Sequence, residues 1–355
     1  MNKLSLVWLI ALITVAAVTA FACSYQTTST SQPSETSQAQ DTAALGQTQS
    51  IPLPSVEGRI DHMAIDLQGE RLFVAALGNN TLEVIDLKTS KRTDEIQGLN
   101  EPQGVAYVPE GNKLLVTNGQ GNTLDIYDAQ SLTLLNQVEL GDDPDNVRYD
   151  ATTGYAYVGY GTGNDSALGV VDVSTGTKVT DIKLSGHPES FQLEENGQRI
   201  FVNVPTASHI AVVDRGKGSV VETWPLSDAT ENFPMALDEA NHRLFVGTRS
   251  PAKLVVLDTE TGKTITSLDA SGDADDVFYD ATNKRIYVSG GEGVISVFEQ
   301  QDPDTYGLLG KVDTADGART SLFVPESGTL YVAVPHSGSQ QAEVRAFQPP
   351  ADGGT

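Results

Sequence analysis

The stretch RLFVAALGNNTLEVID, residues 71–86, contains the pattern that decides the fold. Two apolar runs flank the turn-forming residues Gly78, Asn79 and Asn80, and the second run ends in the acidic residue Asp86. Short runs rich in β-branched and aromatic residues, bounded by Gly and Asn, are typical of β-strands joined by tight turns. The stretch therefore predicts two successive strands.

The same pattern recurs along the chain at nearly constant spacing. The first run of each copy ends in a valine, and successive valines are 42, 42, 44, 44, 42 and 44 residues apart: Val74, Val116, Val158, Val202, Val246, Val288 and Val332. The second run ends at Asp86, Asp128, Asp172, Asp214, Asp258 and Glu299, with Gln348 in an irregular last copy. Repeats of about 40–45 residues with four strands each are the signature of a β-propeller. Seven copies predict an all-β fold, a seven-bladed β-propeller of four-stranded blades.

The last copy lacks an outer strand, because no further β-run follows Phe347. The segment 50–56 precedes the first copy, so we expect an N-terminal strand to pair into the last blade and close the ring. Pro52 and Pro54 fit an outermost strand, which leaves one backbone edge unpaired. The propeller is predicted over residues 50–350, with 351–355 as a tail.

The N-terminal residues 1–22 have the layout of a secretory signal, in which Lys3 precedes the apolar stretch from Leu4 to Ala22. This segment resembles a bacterial lipoprotein signal, and Cys23, the sole cysteine, is the predicted lipidation site. Cleavage before Cys23 without lipidation and an uncleaved membrane anchor are the alternatives. All three place the rest of the chain in the bacterial cell envelope, outside the cytoplasm.

Residues 23–49 are predicted to be a disordered tether between membrane and propeller. Residues 24–50 include six Ser, six Thr and six Gln. Such a composition offers too little apolar surface to offset the entropy of ordering.

Several runs resemble the YncE-like, YVTN-repeat propellers of bacteria, which are WD40-like repeat proteins: RIDH at 59–62, FVAALGNN at 73–80, GHPESF at 186–191, NFPMALD at 232–238 and FVP at 323–325. The resemblance covers residues 49–350 and implies an exported propeller. One branch of this family is reported to bind single-stranded DNA. Such binding requires a basic groove with interleaved aromatic residues, which this sequence does not offer.

The charge of the chain argues against nucleic acid as a partner. It carries 22 Lys and Arg against 47 Asp and Glu, a net charge of −25, with no run of basic residues longer than two. A chain this acidic repels phosphate backbones unless it has a concentrated basic patch. We predict no nucleic-acid partner and expect a monomer.

The constant period also predicts which residues surround one mouth of the central channel. In a propeller, the position thirteen residues before each repeat valine lies where one blade's outer strand leads into the next blade's innermost strand. These positions form the mouth ring: Asp61, Gln103, Asp145, Glu189, Phe233, Asp275 and Arg319. The next position holds His62, Asn146 and Asp276 among others, His187 lies two residues before the ring, and His209 and His336 occupy loops on the same face.

The ring predicts a polar site for a cation, a sugar or a charged small molecule, with Arg319 as an anion anchor. The predicted ligand-binding residues are Asp61, His62, Gln103, Asp145, Asn146, His187, Glu189, Asp275, Asp276 and Arg319. No cofactor is evident, and a divalent cation is left open because carboxylates on different blades need not converge as six to eight ligand oxygens must. No residue is assigned a catalytic or metal-binding role.

Three functions remain open at this point. The first is a membrane-tethered propeller that binds a small molecule or protein partner at the acidic mouth. The second is a hydrolase or lactonase that uses the same mouth, and the third is a non-catalytic scaffold. The sequence lacks H-E-x-x-H, G-x-S-x-G and C-x-x-C-H motifs, which favours a protein that is not an enzyme without deciding the question.

Overall fold

The computed structural model describes residues 44–350, which form 28 β-strands and three short 3-10 turns at Leu77–Asn79, Gly163–Asp165 and Pro205–Ala207. The strands form seven four-stranded antiparallel sheets. Each sheet is one blade, and the innermost strands of neighbouring blades contact one another around a closed ring. The predicted all-β, seven-bladed propeller is confirmed.

The first strand, β1 (Gly46–Pro52), belongs to the last blade, and the next four form the first. From the channel outward, blade 1 contains β2 (Met63–Asp66), β3 (Arg71–Ala76), β4 (Thr81–Asp86) and β5 (Lys91–Gln97). Blade 2 contains β6 (Pro102–Val108), β7 (Lys113–Asn118), β8 (Thr123–Asp128) and β9 (Leu134–Glu139). Blade 3 contains β10 (Val147–Asp150), β11 (Tyr155–Tyr160), β12 (Ala167–Asp172) and β13 (Thr177–Lys183).

The next three blades repeat the same order. Blade 4 contains β14 (Phe191–Leu193), β15 (Arg199–Val204), β16 (His209–Asp214) and β17 (Ser219–Pro225). Blade 5 contains β18 (Thr230–Asp238), β19 (Arg243–Ser250), β20 (Ala252–Asp258) and β21 (Thr264–Asp269). Blade 6 contains β22 (Ala274–Asp280), β23 (Arg285–Gly290), β24 (Val294–Asp302) and β25 (Thr305–Asp313).

Blade 7 joins the two ends of the propeller. Its inner strands are β26 (Ser321–Val324), β27 (Thr329–Val334) and β28 (Glu343–Gln348), and β1 pairs antiparallel with β28 as the outermost strand. Ile51 lies opposite Val344 in this pairing. The predicted closure of the ring by the N-terminal strand is therefore confirmed.

The propeller begins earlier than the predicted boundary at residue 50. Strand β1 begins at Gly46, and Ala44 and Leu45 are buried in the core between blades 6 and 7. The residues after Gly46 are polar, but the side chains of an outermost strand face solvent and need only backbone pairing. Composition therefore predicted a tether where the structure has a strand.

The apolar run in each repeat is continuous because both faces of the blade are covered. Leu72 and Val74 of β3 point into the core between blades 7 and 1, whereas Phe73 points into the core between blades 1 and 2. Side chains alternate between the two faces of a strand, so a strand packed on both sides is apolar at successive positions. All three side chains are fully buried.

No helix in residues 44–350 is long and apolar enough to cross a membrane. The predicted signal segment, Cys23 and the tether up to residue 43 lie outside the described residues, as does the tail at 351–355. These assignments stay predictions.

Candidate functional site

One repeated backbone hydrogen bond orients three positions of the mouth ring. The amide of Asp145 donates to the carbonyl oxygen of Gly159 at 2.9 Å, and that of Glu189 donates to Asn203 at 3.0 Å. Each acceptor is the residue after the repeat valine, and Asp61 makes the equivalent bond in blade 1. The blades thus hold these positions in one backbone orientation at the start of the innermost strands.

The ring surrounds a cavity of about 160 Å³, here called the mouth cavity. All seven ring residues line it. Nine of the ten predicted ligand-binding residues lie on its wall: Asp61, His62, Gln103, Asp145, Asn146, His187, Glu189, Asp275 and Arg319. The tenth, Asp276, lines the channel next to the cavity and contacts His62. The structure brings these residues together, and their ligand-binding role stays a prediction.

The other two histidines predicted on this face do not reach the cavity. The Nε2 atom of His209 lies 3.2 Å from the hydroxyl of Ser185, and His336 pairs with Glu57 at 2.9 Å. Neither residue lines the cavity wall.

Five further residues line the cavity without having been predicted as ligand-binding: Arg59, Asp143, Ser190, Phe233 and Arg249. Arg249 lies three residues after its repeat valine, where five of the other six copies have Gly or Pro. A comparison of the repeats could have identified Arg249, because it is an arginine at a position where most other copies have a turn residue.

His62 lies at the centre of three carboxylates. Its Nε2 atom is 3.6 Å from Asp61 and 3.8 Å from Asp145, and its Nδ1 atom is 3.7 Å from Asp276. Burial lowers the pKa of His62, but the neighbouring carboxylates outweigh burial and raise it to about 10. The side chain of His62 is therefore an imidazolium at neutral pH.

The carboxylates of the cavity repel one another. Burial and the charge of Asp61 raise the pKa of Asp145 to about 6, and the same two causes raise that of Asp275 to about 6. Burial and the charge of Asp145 raise the pKa of Glu189 well above its ordinary value. This crowding marks the cavity as a place where added positive charge is favourable.

The arginines of the cavity are already paired. Arg59 contacts Asp61 at 2.6 Å, Arg249 contacts Asp275 at 2.6 Å, and Arg319 contacts Asp273 at 2.9 Å. Asp273 on the neighbouring blade also lies 3.4 Å from Arg249, so the two arginines share this carboxylate, and the role of Arg319 as an anion anchor stays a prediction.

A second group of side chains, which shares Asp145 with the His62 cluster, converges in the cavity. Asp145, His187 and Glu189 each offer one donor atom, and the three atoms lie within 4.8 Å of one another. Nδ1 of His187 lies 2.8 Å from the carbonyl oxygen of Gly161. Within residues 44–350, Oδ1 of Asp145 and Oδ1 of Asn146 are buried without a hydrogen-bond partner. The arrangement can hold a small cation between two carboxylates and an imidazole.

Fold and site together define a seven-bladed β-propeller with an acidic cavity at one mouth of its channel. No protein-family model matches the chain. It is 28% identical over 204 residues to a protein of Salmonella typhi and 27% identical over 204 residues to one of Salmonella typhimurium strain LT2, both described as "Uncharacterized protein YncE". Each alignment covers 56% of this chain and 56% of the relative, so the chain spans about half the length of the curated relatives it matches.

Two solved structures share the fold. Hydrazine synthase of Kuenenia stuttgartiensis superposes with a TM-score of 0.69 at 18% identity, over 79% of this chain and 94% of that one. A chain of the mitotic checkpoint complex gives a TM-score of 0.72 at 12% identity, over 93% and 98%. Identities this low show the propeller fold alone. The YncE alignments and the seven-bladed ring confirm the predicted resemblance to the YncE-like propellers.

Proposed function

We propose that this protein is an extracytoplasmic, membrane-tethered propeller that binds a small cationic ligand in the mouth cavity. The observation that carries the proposal is the excess of carboxylates over cationic side chains at one mouth of the channel. Four arginines, Arg148 beside the cavity among them, and the His62 imidazolium face seven carboxylates in or beside the cavity: Asp61, Asp143, Asp145, Glu189, Asp273, Asp275 and Asp276. A cation relieves the repulsion among them.

The size of the cavity favours a small molecule over a protein segment. Its volume of about 160 Å³ is below the range of about 300–1,000 Å³ that is usual for drug-sized ligands. The acidic wall disfavours polyanions, which agrees with the predicted absence of a nucleic-acid partner.

The ligand proposal is tested by native mass spectrometry of the full chain purified from its own host. We expect a bound cationic species that Glu189→Gln loses, because this change removes one of the unpaired carboxylates. Glu326→Gln is the matched control, since Glu326 is exposed in the β26–β27 turn, at the end of blade 7 away from the mouth. Retention of the same species by both variants would place the ligand elsewhere. A species consumed and released as a product would instead favour the hydrolase reading.

The proposed membrane anchor rests on the signal pattern and on Cys23, with residues 24–43 as the tether. We expect Cys23→Ala to abolish fatty-acid labelling and to release the protein from the membrane fraction, whereas Ser24→Ala retains both. Labelling that persists in Cys23→Ala would refute lipidation at this residue.

A further inference from the structure

We infer that Asp145, His187 and Glu189 form a binding site for a divalent first-row transition-metal ion. The inference rests on the proposed function and makes it specific, because it names the cation as a metal ion. Its grounds are the convergence of three donor atoms, the hydrogen bond that orients the imidazole, and two buried oxygen atoms that lack partners.

The three donor atoms are close enough to share one ion. They lie within 4.8 Å of one another. Zn–N and Zn–O bonds are about 2.0–2.2 Å long, so two donors on one ion are at most about 4.4 Å apart. The separation of the three donor atoms is therefore near the range that a shared ion requires.

The imidazole of His187 is oriented by a backbone carbonyl next to its Nδ1 atom. Its Nδ1 atom lies 2.8 Å from the carbonyl oxygen of Gly161, and a carbonyl oxygen only accepts hydrogen bonds. The proton of the neutral ring is therefore on Nδ1, and Nε2 keeps its lone pair. A backbone carbonyl bonded to the second ring nitrogen is the usual support of a histidine ligand.

The position of that carbonyl is fixed by the backbone. Gly161 has a φ of 91°, a conformation that residues with a Cβ rarely adopt. The hydroxyl of Ser166, which is fully buried, donates to the same carbonyl at 3.2 Å. His187 is thus oriented whether or not an ion is present.

Two buried oxygen atoms on the cavity wall, one on Asp145 and one on its neighbour Asn146, lack a hydrogen-bond partner among the described residues. Asp145 is 8% exposed and Asn146 is 2% exposed, and among the described residues neither Oδ1 atom has a hydrogen-bond partner. Buried polar atoms are nearly always bonded. The Nε2 atom of His62 lies 3.8 Å from Oδ1 of Asp145, too far for a hydrogen bond. A metal ion would supply the missing partner for Asp145, and the amide oxygen of Asn146 lies beside it on the wall.

The donor set indicates the class of metal. One imidazole nitrogen with two carboxylates suits Mn²⁺, Fe²⁺ or Zn²⁺, whereas Mg²⁺ and Ca²⁺ prefer oxygen ligands alone. Glu189 forms no ion pair within residues 44–350, so its carboxylate is free for this role.

The test uses the full chain, freed of metal with EDTA and titrated with MnCl₂ alone. Calorimetry should give one Mn²⁺ per chain, and Glu189→Gln and His187→Gln should each weaken binding at least tenfold. Pulsed EPR should detect nitrogen coupling to Mn²⁺ in the wild type and in Glu189→Gln at saturating metal, but not in His187→Gln. Glu326→Gln should bind like the wild type.

Either of two results would overturn the inference: folded wild type without stoichiometric Mn²⁺ binding, or affinities unchanged in both variants. Should His187→Gln not fold, the nearly isosteric Glu189→Gln still decides the matter. Retention of an organic cation by protein that binds no Mn²⁺ would refute the metal site and leave the proposed function standing. Protein that binds neither would refute both.

Discussion

Asp145 belongs to both clusters of titratable side chains in the mouth cavity. On one side it faces the His62 imidazolium, and on the other it converges with His187 and Glu189. The repeat register alone placed Asp145, His187 and Glu189 at this mouth. It could not reveal that Arg319 is paired with Asp273, because an ion pair between neighbouring blades depends on side-chain reach across the gap between them.

The backbone of Gly161 gives a prediction at the scale of one residue. A Cβ at this position would collide with the carbonyl oxygen of Asp165, so Gly161→Ala should destabilise the fold by about 2–4 kcal/mol. It should also weaken cation binding, because it displaces the carbonyl that orients His187. Chemical denaturation and calorimetry measure the two effects.

Gly163→Ala is the matched control for this change. Gly163 also has a positive φ, 55°, but no atom lies within 4 Å of the position a Cβ would take. The strained φ alone should cost about 1–2 kcal/mol, and cation binding should be unchanged. Equal effects of the two substitutions would contradict the role given to the Gly161 carbonyl.

At the scale of the element, the third strand of each of blades 1 to 5 ends in an aspartate that builds the following turn. In blade 3, Oδ1 of Asp172 accepts hydrogen bonds from the amide of Ser174 at 2.8 Å and from its hydroxyl at 2.6 Å. Asp86, Asp128, Asp214 and Asp258 make similar turns. The sequence predicted this turn chemistry because an Asp side chain bonds to the backbone within a few residues, so no distant partner is needed.

These turns make part of the stability dependent on pH. The hydrogen bonds from Ser174 and Thr175 hold the pKa of Asp172 below its ordinary value. The stabilisation is fully present above the ordinary pKa of an aspartate and is lost as the pH falls through the lowered pKa of the folded state. Asp172→Asn should therefore lower the melting temperature at pH 7 and have a much smaller effect near pH 2. A thermal melt in which Asp172→Asn lowers the melting temperature equally at pH 7 and at pH 2 would contradict this explanation.

At the scale of the whole molecule, closure of the ring of blades depends on β1, whose polar sequence is not typical of a β-strand. Strand β1 is mostly polar and exposed, yet it pairs along β28 and places Ile51 in the core between blades 7 and 1. Closure by both chain ends removes the open edge at which a propeller could unwind.

The closing strand can be tested through its one buried side chain. Ile51 is 0% exposed, and truncation of a buried Ile to Ala costs roughly 2–5 kcal/mol. We expect Ile51→Ala to destabilise the propeller by this amount in chemical denaturation, whereas Gln47→Ala, an exposed position of the same strand, has little effect. A loss below about 1 kcal/mol for Ile51→Ala would mean that closure contributes little to stability.

The sequence by itself determined the number of blades, the closure of the ring and the register of the mouth ring. These features follow from short apolar runs that recur at a nearly constant spacing, because every blade packs its strands in the same way. Only the tertiary structure decided the start of β1 at Gly46, the pairing of the arginines with Asp61, Asp275 and Asp273, and the convergence of Asp145, His187 and Glu189. Those features depend on distances between different blades, and a period along the chain carries no information about how far a side chain reaches across the channel.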